Sequence, residues 1–259
     1  MRLLFLGDVT GEIGLKALSL SLRKIREEEK IDFVVVNGEN ASSGKGLKHK
    51  DFKTLIEAGA DCVTLGNHYA GKEETARYIA YEEKLLKPYN AVSYPGEGTR
   101  IYNVNGKTLR VTAVLGRAFI KEAAVDPYPL FTSLLNNGAS TDYHFVDFHA
   151  ESTSEKALFA NFYDGRVSCV IGTHTHVQTN DARLLPKGTA FMSDAGICGY
   201  AEGIIGFEVR STIEKVVLGH EGPFRIPSSG EANINGAIVE MSSFLPSSIK
   251  PFSRSVYVE

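Results

Sequence analysis

An α/β fold follows from two observations. Short apolar runs recur along the chain, each ending in a polar turn, and segments with helical periodicity lie between them. A third observation adds that several late runs follow one another without a long helix, which predicts a mixed or antiparallel second sheet. The first unit is β-α-β: "RLLFLGDV" and "IDFVVVNGEN" are the strands, and "LKALSLSLRKIREEEK" is an amphipathic helix with a charged outer face. Next come "FKTLIEAGA" as helix, "DCVTLGNH" as strand and turn, and "KEETARYIAYEEKLL" as a second amphipathic helix. Downstream, "LRVTAVLG" and "TDYHFVDFH" read as strands, "SEKALFANFY" as helix and "VSCVIGTHTH" as strand. "GTAFMSD" and "GAIVEMSS" are the late strands, and "HEGPFRIPSSGEANING" is the loosest stretch, a surface excursion with a strand in it at most.

Composition narrows the function classes. At 259 residues the chain is long enough to bury a sizeable core, and one domain spanning residues 1–259 is expected. Apolar content of 43% with 23% charged residues is ordinary for a globular protein and indicates neither disorder nor a membrane class. A net charge of −3 provides no basic footprint, so no stable nucleic-acid binding is expected. Cys62, Cys169 and Cys198 are widely spaced and lack a CxxC pairing, which signals neither a disulfide framework nor a zinc knuckle and suits a reducing compartment. "LLFLG" is too short for a signal-peptide core and no run approaches a membrane span. The expectation is a cytoplasmic protein without membrane contact, with a symmetric homo-oligomer as the base-rate assembly.

Ligands of open α/β sheets bind beyond the carboxyl ends of the strands, so the residues just after each apolar run are the ones to collect. They are Asp8, then Glu39 and Asn40, then Asn67 and His68, then His149, and finally His174 with His176. Taken singly, each is weak: Gly-Asp or Gly-Asn after a strand is usually a turn. Together they place carboxylates, amides and imidazoles at one sheet edge, and in a strand the spacing of His174 and His176 aims both at one face. A dinuclear metal site accounts for the set, since two divalent ions about 3.5–4 Å apart need roughly six ligands including a bridging carboxylate. Either Glu39 or Asp8 could bridge. Mixed nitrogen and oxygen ligands without cysteine favour a catalytic pair of manganese, iron or zinc over a closed structural zinc.

Competing readings are weaker. Gly7, Gly11 and Gly14 follow a strand, but their register is wrong for a GxGxxG dinucleotide loop, and Asp8 would repel a pyrophosphate there. No Lys-Ser or Lys-Thr follows them, which excludes a Walker loop. "ASSGKGL" reads as a flexible loop from which Lys45 could reach a phosphate. His144, opposite in parity to His149, reads as structural, and His49 and His220 as solvated loop residues.

"GDVTG", "NGEN", "LGNH", "VDFHAESTSEK" and "GTHTHVQT", in this order and spacing, resemble the calcineurin-like metallophosphoesterases. More closely they resemble the bacterial branch of 2′,3′-cyclic-nucleotide 2′-phosphodiesterases, with "SDAGICGYAEGIIGFE" and "INGAIVE" matching its late segments. The resemblance implies a four-layer αββα sandwich whose two mixed sheets are flanked by helices. It implies two divalent ions, iron or manganese ahead of zinc, held by Asp8, Glu39, Asn40, Asn67, His149, His174 and His176, with Glu39 bridging. It further implies that Asn40 lies at the substrate phosphate and that His68 is catalytic, acting near the leaving group. The implied reaction is hydrolysis of a small cyclic nucleotide, by attack on phosphorus of a hydroxide shared between the ions. A phosphomonoesterase or protein phosphatase on the same centre, or a regulatory metal-binding protein with incidental turnover, are the alternatives. Three departures stand out: Thr10 occupies the place of the superfamily's Asp-x-His histidine, the longer Glu39 that of its second-motif aspartate, and Tyr69 that of the carboxylate after the catalytic histidine. The branch also implies an aromatic shortly after that histidine, which only Tyr69 supplies here.

Overall fold

The computed structural model describes residues 1–122 and 124–259. Its first half forms β1 (Arg2–Leu6), β2 (Asp8–Val9), α1 (Gly11–Glu28), β3 (Phe33–Asn37), α2 (His49–Ala58), β4 (Cys62–Thr64), α3 (Thr75–Tyr78) and β5 (Leu85–Leu86). There follow β6 (Thr99–Val104), β7 (Lys107–Leu115), α4 (Pro127–Asn137), β8 (Tyr143–His149), α5 (Thr153–Phe162) and β9 (Cys169–Thr173). The chain closes with β10 (Arg183–Leu184), β11 (Ala190–Met192), β12 (Ile197–Tyr200), α6 (Val209–Val216), β13 (Gly230–Glu240) and β14 (Ser248–Val258).

Among the described residues the strands make two sheets. The first has eight strands in the order β2-β12-β13-β1-β3-β4-β5, with β14 on β13. Its β1, β3, β4 and β5 are parallel, and β13 runs antiparallel to β1. The second has six in the order β10-β11-β9-β8-β7-β6, parallel from β11 to β7 and antiparallel at both edges.

Residue parity builds the layers. On β1, Leu3 and Phe5 join a core with Val111, Phe145 and Cys169 of the second sheet, whereas Leu4 and Leu6 join Ile13, Leu18 and Leu22 of α1 and Phe52 and Leu55 of α2. On β8, Tyr143 and Phe145 face the middle, while Val146 and Phe148 pack on Phe131 of α4 and Phe159 of α5. The Phe5 and Phe145 rings meet across the sheets at 4.9 Å. A strand buried on both faces loses its apolar/polar alternation, which is why these runs are continuously apolar. Three apolar layers thus separate helix, sheet, sheet and helix: the expected αββα sandwich.

Some elements depart from the sequence reading. "GAIVE" lies in β13 and returns to the first sheet, because Ala237 and Val239 match the inward parity of β1 while Ile238 faces the helices. "GTAFMSD" supplies β11, which does join the second sheet. The long helix expected over "KEETARYIAYEEKLL" is cut to α3 and a 3₁₀ turn at Ile79–Tyr81. Its last two residues are β5, since Leu85 faces the outer core and Leu86 the inner one, a two-sided burial that a strand provides. Helices α4 and α6 were not anticipated, although "DPYP" carried a start signal for α4: Asp126 accepts from the Tyr128 N–H at 3.0 Å, and Pro127 is the first helical residue. No helix among the described residues is long and apolar enough to cross a membrane.

Candidate metal centre

Asp8, Glu39, Asn40, Asn67, His68, His149, His174 and His176 come together, but at the seam between two sheets and not along one sheet edge. Asp8 follows β1, Glu39 and Asn40 follow β3, and Asn67 and His68 follow β4, all in the first sheet; His149 ends β8, and His174 and His176 follow β9, in the second. Asp8, Glu39, Asn40 and His149 are buried. Glu39 Oε1 lies 3.4 Å from both His149 Nε2 and His68 Nδ1. Asp8 Oδ1 lies 4.0 Å from His149 Nδ1 and from His176 Nε2. Among the described residues, Glu39, His149 and His174 offer ligand atoms all within 4.8 Å of one another.

The hydrogen-bond network fixes which atoms face inward. Thr173 Oγ1 donates to Asp147 at 2.7 Å and so accepts from His149 Nδ1 at 2.9 Å, leaving His149 Nε2 a bare acceptor. That nitrogen points at Asn67 Oδ1, 2.9 Å away, whose amide is oriented by the Asn67 Nδ2 bond to Glu122 at 3.2 Å. His174 Nε2 donates to Glu151 at 3.0 Å, which turns its acceptor Nδ1 toward His149 Nε2, also 3.0 Å away. His176 Nδ1 donates to the Ile205 carbonyl at 3.0 Å, so its Nε2 faces Asn40 Nδ2 at 3.0 Å. His149 Nε2, Asn67 Oδ1, His174 Nδ1 and Glu39 Oε1 therefore converge, each able to present a lone pair.

Converging acceptors repel unless a cation lies among them, and burial magnifies the cost. Asp8 Oδ1 is likewise buried with no hydrogen-bond partner. Burial, with Asp8 close by, raises the Glu39 carboxyl well above its usual range, and burial also raises Asp8. Burial followed by the His174 charge pushes His149 well below the ordinary imidazole value. A divalent cation would relieve all of these, and the oxygen and imidazole donors suit one. The residues fit a metal, with Glu39, His149 and His174 as its nearest holders.

Local geometry explains the convergence. The expected strand alternation does not place His174 and His176, for β9 ends at Thr173 and both histidines adopt positive φ, 100° and 65°. Between them, Thr175 gives its N–H at 3.1 Å and its hydroxyl at 2.9 Å to Asp194 Oδ2, which Lys156 of α5 also meets at 2.7 Å. Lys156 and Asp194 are wholly buried. Gly66 leaves room for His149, since a Cβ there would sit 2.3 Å from the imidazole.

Asp147, Thr173, Lys156 and Asp194 escaped the sequence reading. Asp147 accepts from Asn37 Nδ2 at 3.0 Å and from the Thr64 hydroxyl at 2.6 Å, joining the two sheets beneath the site. Burial pushes its carboxyl up to about 7 against the pull of these bonds. A carboxyl two residues before His149 inside an apolar run was the available signal. Asp194 follows β11 and answers the same strand-end rule as the residues collected from the sequence. Lys156 carried no signal, because a lysine on an amphipathic helix reads as solvated. Thr10 is buried and its hydroxyl meets the Asp8 carbonyl at 3.2 Å, and Tyr69 turns into the core edge-on to Tyr94 at 4.9 Å. His49 is not in a loop: it starts α2, 2.7 Å from Glu82 Oε1, with its ring stacked on Tyr78.

A family model described as YmdB-like protein matches residues 4–251. A Bacillus subtilis protein named 2′,3′-cyclic-nucleotide 2′-phosphodiesterase is 38% identical over 252 residues, 96% of this chain and 95% of that one. A crystal structure of a hypothetical Thermus thermophilus protein superposes with a TM-score of 0.92 at 39% identity, covering 98% of this chain and 99% of that one. A Mycoplasma pneumoniae structure titled as a novel phosphatase gives 0.87 at 31% identity, covering 100% and 94%. On sequence and fold alike, this chain belongs to the YmdB-like family, a bacterial branch of the calcineurin-like metallophosphoesterases.

Proposed function

We propose that this chain is a metal-dependent phosphodiesterase that hydrolyses 2′,3′-cyclic nucleotides at the 2′ bond. The observation that carries the reading is the convergence of four potential ligand atoms, His149 Nε2, Asn67 Oδ1, His174 Nδ1 and Glu39 Oε1, at a buried seam. The name of the Bacillus subtilis relative supports the substrate class. Residues from Asp8 to His176 meet in this cleft, so residues 1–259 are read as one catalytic unit. The three cysteines are buried and free, which suits the cytoplasm.

Asp8, Glu39, Asn40, Asn67, His149, His174 and His176 would hold two divalent ions, iron or manganese ahead of zinc, with Glu39 shared between them. Bound there, the ions supply a water of lowered pKa and neutralise charge on the phosphate oxygens. Hydrolysis would join a water oxygen to phosphorus, release a proton of that water to solvent and break the P–O2′ bond, leaving a 3′-phosphate. Asn40 would hydrogen-bond a nonbridging oxygen through its Nδ2, which otherwise meets Glu39 Oε1 at 3.1 Å and His176 Nε2 at 3.0 Å.

His68 supplies the proton that the departing 2′ oxygen takes. Its Nδ1 donates to Asn40 Oδ1 at 2.6 Å, which leaves Nε2 for the substrate. Burial, and then the charge of Lys45, hold this imidazole down at about 4, which favours its neutral form near pH 7. An anionic diester alongside favours the imidazolium, which couples proton donation to substrate arrival. Lys45 is exposed on that side and draws the anion in.

Phosphorus NMR of 2′,3′-cyclic AMP with manganese-loaded or chelated protein tests the reading. Metal-dependent 3′-AMP is expected, and His68→Ala should slow turnover about 10²–10⁴-fold with metal content unchanged. Formation of 2′-AMP would reverse the leaving group. Turnover of phosphomonoesters alone would make the chain a phosphatase.

A further inference from the structure

Beside the metal centre stands an aromatic side chain that the reaction, as described, does not use. Phe119 lies four residues beyond the end of β7, is 87% exposed, and has a φ of 63°, a conformation sterically unfavourable for a bulky side chain. Its turn is fixed on several sides. Glu155 of α5 accepts the N–H groups of Arg117 at 2.9 Å and Ala118 at 3.1 Å, and the Gly116 N–H bonds the carbonyl of His149 itself at 2.8 Å. Ile120, the next residue, packs on the first-sheet core. A held turn in a strained conformation that exposes a phenyl ring to water is a feature to be explained by function.

The ring borders an open cavity of about 650 Å³ whose other walls are Glu151, Ser152, Thr153 and Thr175. Glu151 touches His174 Nε2 at 3.0 Å, and Thr175 sits between His174 and His176. The cavity therefore adjoins His174 on its Nε2 side, the inward Nδ1 of the same ring facing His149. Tyr69, the aromatic next to His68, is turned into the core against Tyr94 and is not among the residues that line this cavity.

We infer that Phe119 is the nucleobase platform of the substrate cleft: with the cyclic phosphate at the metal centre, the base lies in this cavity with its face on the phenyl ring. The inference rests on the cyclic-nucleotide reading and adds how the base is held. Base–aromatic stacking is worth about 5- to 150-fold in affinity and tolerates any base, so all four 2′,3′-cyclic nucleotides depend on it alike.

The test compares 2′,3′-cyclic AMP with ethylene phosphate, the same five-membered cyclic diester without a base. Phe119→Ala should raise KM for the nucleotide about 5- to 150-fold, with kcat and ethylene phosphate hydrolysis unchanged. Phe119→Trp should restore the nucleotide KM and Phe119→Leu should not. Equal effects on both substrates, or none, overturn the platform and leave the phosphodiesterase reading standing. Should the wild-type protein cleave neither substrate, that reading falls, and calorimetric binding of 3′-AMP to manganese-loaded protein decides the platform. Weaker binding in Phe119→Ala supports it, and equal binding or none in the wild type overturns it.

Discussion

His144 and His149 share one strand five residues apart and meet opposite fates. Parity made this legible: His149 points into the seam, and His144 points the other way, its Nε2 2.9 Å from the Thr112 hydroxyl and its ring beside Phe131 of α4. Asp147 shares the face of His149 by the same parity, and its place inside an apolar run is what masks it in the sequence. Burial, then the charge of Arg110, push His144 from 6.5 down to about 3. Between those values the unfolded chain carries a proton that the folded chain does not, so stability rises with pH across that window and is lost as the pH falls through it. His144→Gln removes the titration. Denaturant unfolding from pH 4 to 6 should then show a dependence shallower by about 1.4 kcal/mol per pH unit than the wild type. Equal slopes would mean that His144 titrates normally in the fold.

At the scale of elements, strands were easier to read than helices. A two-sided buried strand is an uninterrupted apolar run, so β1, β3, β8 and β9 stood out in the sequence. Helical periodicity misled at "KEETARYIAYEEKLL", where the pull of both cores on Leu85 and Leu86 outweighed local propensity. The turn after β9 shows the same limit. "THTH" announced two histidines, but what aims them is a buried ion pair contributed by Lys156 of α5 and by Asp194, two residues beyond β11 and distant in sequence. Lys156→Met strands the Asp194 carboxylate without its counter-charge, and equilibrium unfolding should register a loss of about 3–5 kcal/mol. Adding Asp194→Asn removes the orphaned charge. The double variant should therefore be less destabilised than the two single costs added together, and simple additivity would show that the pair is not coupled.

The whole molecule places the site where two sheets meet, and this escaped the sequence reading. Strand-end residues could be collected from the chain, but which sheet each strand joined depends on pairings between distant segments, such as β13 returning to β1. The consequence is thermodynamic. Asp8, Glu39 and Asn67 belong to one sheet and His149 and His174 to the other, so a cation held among them ties the sheets together in a way the unfolded chain cannot reproduce. Binding to the native state alone stabilises it by about 2.7 kcal/mol at a hundredfold excess over Kd. For a chain of this size each kcal/mol moves the midpoint roughly 2–4 °C, so manganese should raise Tm by about 5–10 °C and chelator should return it. Glu39→Gln, which weakens the oxygen facing both His149 and His68, should lose most of that rise. A shift below about 1 °C with either manganese or zinc at a hundredfold excess, where the linkage predicts several degrees, would mean that the converging lone pairs hold no metal. A full shift in Glu39→Gln would place the ion elsewhere. Only a rise that depends on Glu39 fits a metal bound at the seam, with both sheets as its walls.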